Sequence, residues 1–170
     1  LLRTHGITKD PALLHENHGG WYYEMQELGF NYRLTDFQAA LGNSQLQRAD
    51  EGLKRRREIA AKYNAAFSGK NFIHGQSGDI EGHAYHLYIV EVDDRKGLYD
   101  FLREHKIFAQ VHYIPVHLQP YYCDFCWKKG DFQHADKYYK QCLSLPIYQT
   151  LSDEEQDFVI DKVLKYYESN

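Results

Sequence analysis

The sequence predicts an α+β domain, in which a small sheet carries helices packed on one side. Residues 84–92 are rich in Tyr, Ile and Val and apolar on both faces, which is typical of a central strand. A short apolar pattern of helical spacing follows and ends near His105. Residues 107–116 then have the composition of a second strand, which Pro115 terminates. Strand, helix and strand therefore form the centre of the predicted domain.

A long helical pattern precedes this centre and covers about residues 35–67. Its start carries a capping box, because the Thr35 side chain can accept from the backbone N–H near Gln38. The apolar residues change face along the pattern. Either one long linking helix meets two different surfaces, or the helix breaks near Gly42 or Gly52.

Two further helices are predicted after the centre. The first carries its apolar residues as far as Cys142 and closes before Pro146. The last begins after Ser152, which opens a Ser-Asp-Glu-Glu cap, and its apolar stripe ends at Tyr167. The pattern thus contains strands and helices in mixed order, without an internal repeat.

Composition indicates one well-packed domain, because 43% of the 170 residues are hydrophobic and 26% are charged. The net charge is −4, and the basic run at residues 54–57 is interpreted as a solvated helix face rather than a nucleic-acid patch. No apolar run approaches the roughly 18 residues of a membrane span, so we expect a cytoplasmic protein without membrane contact. The opening LLRTHGITKDP lacks an initiator Met and Met25 lies far inside, so we expect the downstream part of a longer polypeptide.

Three cysteines raise the question of a metal or redox site. Cys123 and Cys126 form a C-x-x-C pair, and a zinc site would need Cys142 and His134 as further ligands. The sequence has no second C-x-x-C and no paired-His motif. We therefore interpret the thiols as structural or incidental and predict no metal site, and the odd number of cysteines fits a reducing compartment.

Polar side chains stand directly before the long helical pattern, in the stretch GFNYRLTDFQAALG at residues 29–42. Asn31 and Arg33 precede the predicted cap at Thr35. Polar side chains at a helix entrance can meet an anion, because the unpaired N–H groups and the positive dipole end favour negative charge. The same pattern also serves plain helix initiation, so the residues alone leave both interpretations open.

A second polar cluster, HYIPVHLQPYY at residues 112–122, covers the end of the predicted second strand and the loop beyond it. Sites are commonly built at strand ends and in the loops beyond them, which makes His112 and Tyr113 candidates. Neighbours in a strand point to opposite faces, so these two can share a site only if the strand ends or twists there, which Pro115 favours. The alternative is a satisfied core histidine among packing tyrosines. No complete nucleophilic or acid–base constellation is present.

Five motifs run in order over nearly the whole chain: LLRTHGITKDP, ELGFNYRLTDFQAALGNSQLQRADEGLKRRREIAAKYN, HAYHLYIVEVD, AQVHYIPVHLQPYY and SLPIYQTLSDEEQDFVI. Together they resemble the C-terminal portion of the sugar-nucleotide aminotransferases of the DegT/DnrJ/EryC1/StrS family. The stretch HENHGGWYYEMQELGFNYRLTDFQAALG is most similar to the branch that aminates C4 of a UDP-linked 4-keto-6-deoxy-N-acetylhexosamine on the route to pseudaminic acid.

The resemblance implies the fold of the type I pyridoxal phosphate enzymes. Residues 1–34 would be the tail end of the large cofactor domain, and residues 35–170 would be the small C-terminal domain. It also implies a homodimer whose two active sites each draw on both subunits. The cofactor would be pyridoxal 5′-phosphate, the substrate a UDP-sugar, and the amino donor an amino acid, commonly glutamate in this family.

The resemblance also assigns site residues. The family's Asn-Tyr-Arg motif maps onto Asn31, Tyr32 and Arg33. Its Asn contacts the cofactor phosphate bound in the other subunit, and its Arg lines the shared site. The family's His-Tyr pair maps onto His112 and Tyr113, which would face the nucleotide-sugar of the neighbouring subunit.

The catalytic residue of the family has no counterpart here. Its Schiff-base lysine lies upstream of the segment that matches Leu1, and Lys9 lies in the loop after His-Gly-Ile, at no catalytic position. The resemblance therefore implies that this segment alone does not transaminate. Two alternatives stay open. In the first, the complete protein carries His in place of that lysine and is a dehydratase, as some relatives are. In the second, the chain is a non-catalytic nucleotide-sugar-binding or dimerisation module.

Overall fold

The computed structural model describes residues 1–76, 82–123 and 127–168, apart from the side chain of Cys123. The chain divides into two compact units, Leu1–Arg48 and Ala49–Asn170. Each unit contains its own set of paired strands. The assignment of residues 1–34 to a large cofactor domain stays a prediction.

The first unit is built from two short strands and one helix. Strands β1 (Ile7–Thr8) and β2 (Glu24–Met25) pair antiparallel, and helix α1 covers Asp36–Leu46. Two backbone segments cross closely at Gly6 and Gly29, where a Cβ on Gly29 would lie 2.1 Å from the Gly6 nitrogen. Gly6 also has a φ of +69°. The crossing therefore requires glycine, because any side chain would collide with backbone there.

Glu24 holds the loop that joins the strands of the first unit. Its carboxylate accepts hydrogen bonds of 2.8–3.0 Å from the backbone N–H groups of His15 and Glu16, the Tyr22 hydroxyl and the Gln26 amide. These donors favour the charged carboxylate. The His15 backbone N–H, foremost among them, lowers the pKa of Glu24 from 4.5 to about 2.

The second unit is a three-stranded antiparallel sheet with helices around it. The strand order is β3–β4–β5, and the strands are Ile73–His74, Tyr88–Val92 and Cys142–Leu145. The helices are α2 (Ala49–Phe67), α3 (Arg95–Glu104), α4 (Pro120–Cys123), α5 (Gln133–Gln141) and α6 (Asp153–Glu168), with a 3₁₀ helix at Val116–Leu118.

The core of the second unit lies between the sheet and three of the helices. Every second residue of β4 is fully buried, namely Tyr88, Val90 and Val92. They pack in one hydrophobic cluster with buried residues of α2, α3, β5 and α6. The predicted α+β class with a small sheet is confirmed, since one alternating strand supplies the apolar face that these helices cover.

The helix expected over about residues 35–67 is two helices. Helix α1 ends at Leu46 and α2 begins at Ala49, so the break lies at residues 47–48 and not near Gly42 or Gly52. No residue of α1 is buried, whereas α2 buries residues along one face. The change of apolar face in the sequence therefore marks the end of one helix and the start of another.

The two predicted strands need correction. Strand β4 is shorter than the strand predicted over residues 84–92. Residues 107–116 do not form a strand, because this segment joins the sheet only through an isolated bridge between Gln110 and Ser144. The third strand is β5, which the sequence pattern placed at the end of a helix. Four buried residues are too short a run for periodicity to distinguish strand from helix.

The basic run at residues 54–57 is bonded within the protein. Arg55 donates to the Leu151 carbonyl at 2.6 Å, and Arg56 donates to the Tyr85 carbonyl at 3.0 Å. The prediction of a solvated face is wrong for these two arginines. Carbonyls in irregular segments need donors, and the half-buried guanidinium groups supply them.

Helices α3 and α6 agree with the sequence, whereas the short helix α4 was not predicted. Helix α3 ends at Glu104, and α6 begins after Ser152, whose Oγ accepts from the Glu155 N–H at 3.1 Å. The Glu155 carboxylate accepts in return from the Ser152 N–H at 3.0 Å, which completes a capping box. In the part of the chain that the structure describes, no helix combines the length and apolar character needed to cross a membrane.

Replacing Glu24 with Gln is expected to loosen the loop at residues 15–22, because a neutral amide accepts these hydrogen bonds more weakly. The pKa of Glu24 is depressed in the folded chain, so its stabilising effect is present above 4.5 and is lost as the pH falls towards about 2. Limited proteolysis of the complete polypeptide at neutral pH should therefore cleave this loop faster in Glu24→Gln than in the wild type.

Glu27→Gln is the matched control for this experiment. Glu27 is exposed, and its side chain has no hydrogen-bond partner among the described residues. Its substitution removes the same charge without removing the contacts. Equal cleavage rates for the two variants would show that Glu24 does not hold the loop.

Candidate functional site

The backbone before helix α1 is fixed to the beginning of the chain. Asn31 forms a bridge with Thr4, and the Tyr32 N–H donates to the Arg3 carbonyl at 2.9 Å. The Tyr32 ring also stacks on Phe30, with centroids 5.1 Å apart. These contacts fix the backbone from which the side chains of residues 31–33 project.

The entrance of α1 carries the predicted capping box. The Thr35 hydroxyl accepts from the Gln38 N–H at 3.3 Å, and Gln38 Oε1 accepts from the Thr35 N–H at 3.0 Å. Asp36 places a carboxylate in the first turn, at the positive end of the helix dipole. Because this carboxylate repels a second negative charge, an anion binds more favourably to side chains that precede the helix than to its first turn.

Asn31 and Arg33 provide hydrogen-bond donors at this position. Both side chains are exposed, and neither has a hydrogen-bond or ion-pair partner in the described ranges 1–76, 82–123 and 127–168. A phosphate accepts charge-assisted hydrogen bonds from such amide and guanidinium groups. The two residues thus fit the phosphate of the cofactor that the resemblance implies.

His112 lies where the chain leaves the sheet of the second unit. Gln110 and Ser144 exchange backbone hydrogen bonds of 3.1 and 2.7 Å, and His112 follows two residues later. The His112 ring is half-buried, and its Nδ1 lies 2.7 Å from Ser144 Oγ. Among the described residues Nε2 has no hydrogen-bond partner. One ring nitrogen is therefore anchored to the sheet while the other can contact a ligand.

Tyr113 lies directly against His112. The peptide bond between them is cis, and their rings meet edge to face with centroids 4.7 Å apart. Tyr113 is 73% exposed. The structure therefore brings both predicted residues to one place, because the chain is no longer a strand here and the alternation of side chains no longer applies.

The loop after this pair is anchored by a buried contact. His117 is 7% exposed, and its Nε2 lies 2.9 Å from Asp136 Oδ1. The other carboxylate oxygen of Asp136 accepts from the Gly130 N–H at 2.7 Å. An apolar cavity of about 440 Å³ lies beside His117 and is lined by Pro115, Val116, Tyr122, Trp127, Phe132 and Ala135.

The cysteines give no metal site in the described part of the chain. Cys142 is buried in β5, and burial raises the pKa of its thiol. His134 is exposed on α5. The C-x-x-C pair falls outside the description, since neither the Cys123 side chain nor Cys126 is among the described residues. Within those residues no three His, Cys, Asp or Glu side chains are grouped to hold a metal ion.

The sequence analysis did not identify Ser144 as part of the site. The sequence feature that could have identified Ser144 is its position as a polar residue in the run Cys-Leu-Ser-Leu, all of which is buried in the structure. A buried hydroxyl needs a hydrogen-bond partner, but the sequence does not show that His112 is that partner. Asn31 and Arg33 belong to the first unit, so they form a separate group of candidates.

Comparison with known proteins identifies similar chains. The sequence profile of the DegT/DnrJ/EryC1/StrS aminotransferase family matches residues 1–164. The spore coat polysaccharide biosynthesis protein SpsC of Bacillus subtilis strain 168 is 40% identical, over 96% of this chain and 44% of its own length. The UDP-4-amino-4,6-dideoxy-N-acetyl-beta-L-altrosamine transaminase of Campylobacter jejuni strain 81-176 is 32% identical, over 99% of this chain and 44% of its own length.

Among solved structures, this chain is similar to the putative sugar aminotransferase Spr1654 from Streptococcus pneumoniae in its PMP-form. The TM-score is 0.83 at 30% identity, and the match covers 99% of this chain and 43% of that one. The chain thus spans less than half the length of the relatives that it matches. The predicted family resemblance and fold are confirmed.

Proposed function

Because this chain belongs to the DegT/DnrJ/EryC1/StrS aminotransferase family, we propose that it is the C-terminal part of an enzyme that aminates a nucleotide sugar. The substrate is a UDP-linked 4-keto-6-deoxy-N-acetylhexosamine, aminated at C4 with glutamate as donor. The likeness over 99% of the chain to the putative sugar aminotransferase Spr1654 carries the proposal. The similarity to the Campylobacter jejuni transaminase named for a UDP-4-amino sugar supports the choice of substrate.

Pyridoxal phosphate is the cofactor of this proposed function and supplies the electron sink when a proton leaves the carbon that bears the nitrogen. The Asn31 amide donates to the cofactor phosphate held in the other subunit. Arg33 lines the same shared site and offsets negative charge there. Their exposure and lack of described partners support these roles. The Schiff-base lysine belongs to the portion of the polypeptide outside this segment, and Lys9 has no catalytic role.

His112 and Tyr113 orient the nucleotide sugar. Nε2 of His112 and the hydroxyl of Tyr113 can both contact sugar or phosphate oxygens. The Nδ1 contact with Ser144 restricts the His112 ring before a ligand binds, which reduces the entropy lost on binding. These residues therefore bind and orient the sugar, while the proton transfer belongs to the lysine.

A homodimer would cover apolar surface that the first unit exposes. In residues 1–48, all of which the structure describes, Gly6 is the single buried residue. Large apolar side chains such as Leu28 and Phe37 are 82% and 80% exposed. Large apolar side chains exposed in such number can mark an interface. We therefore assign this surface to contacts with polypeptide outside this segment and with the second subunit.

The complete polypeptide is expected to convert the UDP-4-keto sugar and glutamate into the 4-amino sugar and 2-oxoglutarate. Mass spectrometry of the nucleotide sugar measures the exchange of the keto oxygen for nitrogen, and a reaction without glutamate is the control. A product that has lost a hydroxyl and gained no nitrogen would identify a dehydratase instead. Binding of the sugar without turnover would identify a non-catalytic module.

Replacing Asn31 with Ala in the complete polypeptide is expected to weaken cofactor retention about tenfold, because a hydrogen bond to a charged phosphate is lost. Dialysis followed by absorbance measures the bound cofactor. Asn43→Ala is the matched control, since Asn43 is an exposed residue of α1 whose side chain has no described partner. Unchanged cofactor affinity in Asn31→Ala would refute the assigned role.

Replacing His112 with Ala is expected to raise the KM for the nucleotide sugar about tenfold and to leave cofactor affinity unchanged, because only the sugar contact is lost. Steady-state kinetics and cofactor titration measure the two effects. His134→Ala removes an exposed histidine of α5 and is the control. Equal loss of sugar and cofactor binding in His112→Ala would mean that His112 serves folding.

A further inference from the structure

We propose that Ser144 is a positioning residue that sets the tautomer of His112, so that the imidazole presents Nε2–H as a donor to an oxygen of the nucleotide sugar. The proposal rests on the function proposed above and specifies the chemistry of its sugar-facing histidine. It assigns to a buried serine of the sheet a role in recognition of the ligand.

Ser144 is a rigid anchor because both of its strand edges are engaged. In β5 it lies opposite Ile89 of β4, and on its other side it exchanges both backbone hydrogen bonds with Gln110. The residue is 5% exposed. The backbone that carries the Ser144 side chain is therefore held in place by both neighbouring segments.

The direction of the hydrogen bond follows from the number of hydrogens available. The Ser144 hydroxyl carries one hydrogen, and His112 Nδ1, at 2.7 Å, is its partner among the described residues. If Nδ1 carried the hydrogen of the neutral ring, the hydroxyl hydrogen would be buried without an acceptor, which is costly. Donation from the hydroxyl to Nδ1 satisfies both atoms. The neutral ring then carries its hydrogen on Nε2.

This tautomer selects the kind of atom that can meet His112. Nε2–H is a donor, so it attracts the hydroxyl, carbonyl and phosphate oxygens in which a nucleotide sugar is rich. The other tautomer would point a lone pair at carbonyl and phosphate oxygens and repel them, and it could only accept a hydrogen bond from a hydroxyl group. The Ser144 hydroxyl therefore contributes to binding without touching the ligand. Hydrogen-bond partners orient the histidines of metal sites in the same way.

The test uses Ser144→Ala in the complete polypeptide, with Ser144→Thr as the variant that keeps the hydroxyl. We expect Ser144→Ala to raise the KM for the nucleotide sugar about fivefold, to change kcat less, and to leave cofactor affinity unchanged. Ser144→Thr should restore the KM. Nitrogen-15 NMR of labelled histidines should show His112 as the Nε2–H tautomer in the wild type and in Ser144→Thr, and a mixture in Ser144→Ala.

A double substitution separates this role from general folding. If Ser144 acts through His112, Ser144→Ala should add nothing to the KM once His112 is Ala, because the shared contact is already absent. An equal rise of KM in both backgrounds would overturn the proposal, as would an Nδ1–H tautomer in the wild type. If His112→Ala itself leaves the KM unchanged, the proposed function of the site fails, whatever the NMR spectrum shows.

Discussion

The two-sided pairing of strand β5 is the constraint on which the second unit depends. All four of its residues are buried, so its backbone groups cannot turn to water and must be paired by neighbouring segments. Strand β4 pairs with one edge, and Gln110 pairs with Ser144 on the other. Among the described residues, the second edge of β5 is paired only at the bridge between Ser144 and Gln110, so the chain is bonded to the sheet at Gln110 and leaves it directly afterwards. His112 and Tyr113 lie where the chain leaves the sheet.

The same need to satisfy backbone groups explains the contacts of helix α2. Arg55 and Arg56 donate to carbonyls of segments that lie far away in the sequence, and the Tyr63 hydroxyl donates to the Pro146 carbonyl at 3.0 Å. Tyr63 is fully buried and stacks on Tyr88 of β4. Helix α2 therefore fills the core and also bonds the loop that follows β5, which fixes the sheet on which the candidate site is built.

The first unit follows a different principle. It lacks a buried apolar core within residues 1–48, and its order comes from backbone crossings, from the carboxylate of Glu24 and from the capped start of α1. Hydrogen bonds of this kind contribute modestly to stability in water. Exposed apolar side chains and unpaired donors at Asn31 and Arg33 support the proposal that this unit forms a site together with protein outside the segment.

The sequence alone determined the features that depend on near neighbours. The caps at Thr35 and Ser152 and the extent of α3 follow from residues within one or two helical turns, and the motif order was enough to identify the family. It also singled out His112 and Tyr113 as site candidates; their rings meet edge to face in the structure, and their role stays a prediction.

The tertiary structure decided what distant residues do to one another. Strand β5 could not be told from a helix end, because its identity comes from pairing with β4 and Gln110 rather than from its own four residues. The contact between Ser144 and His112 joins residues 32 positions apart, and that between Arg55 and Leu151 joins residues 96 apart. Such contacts arise only when burial and backbone pairing bring the segments together, so no local pattern encodes them.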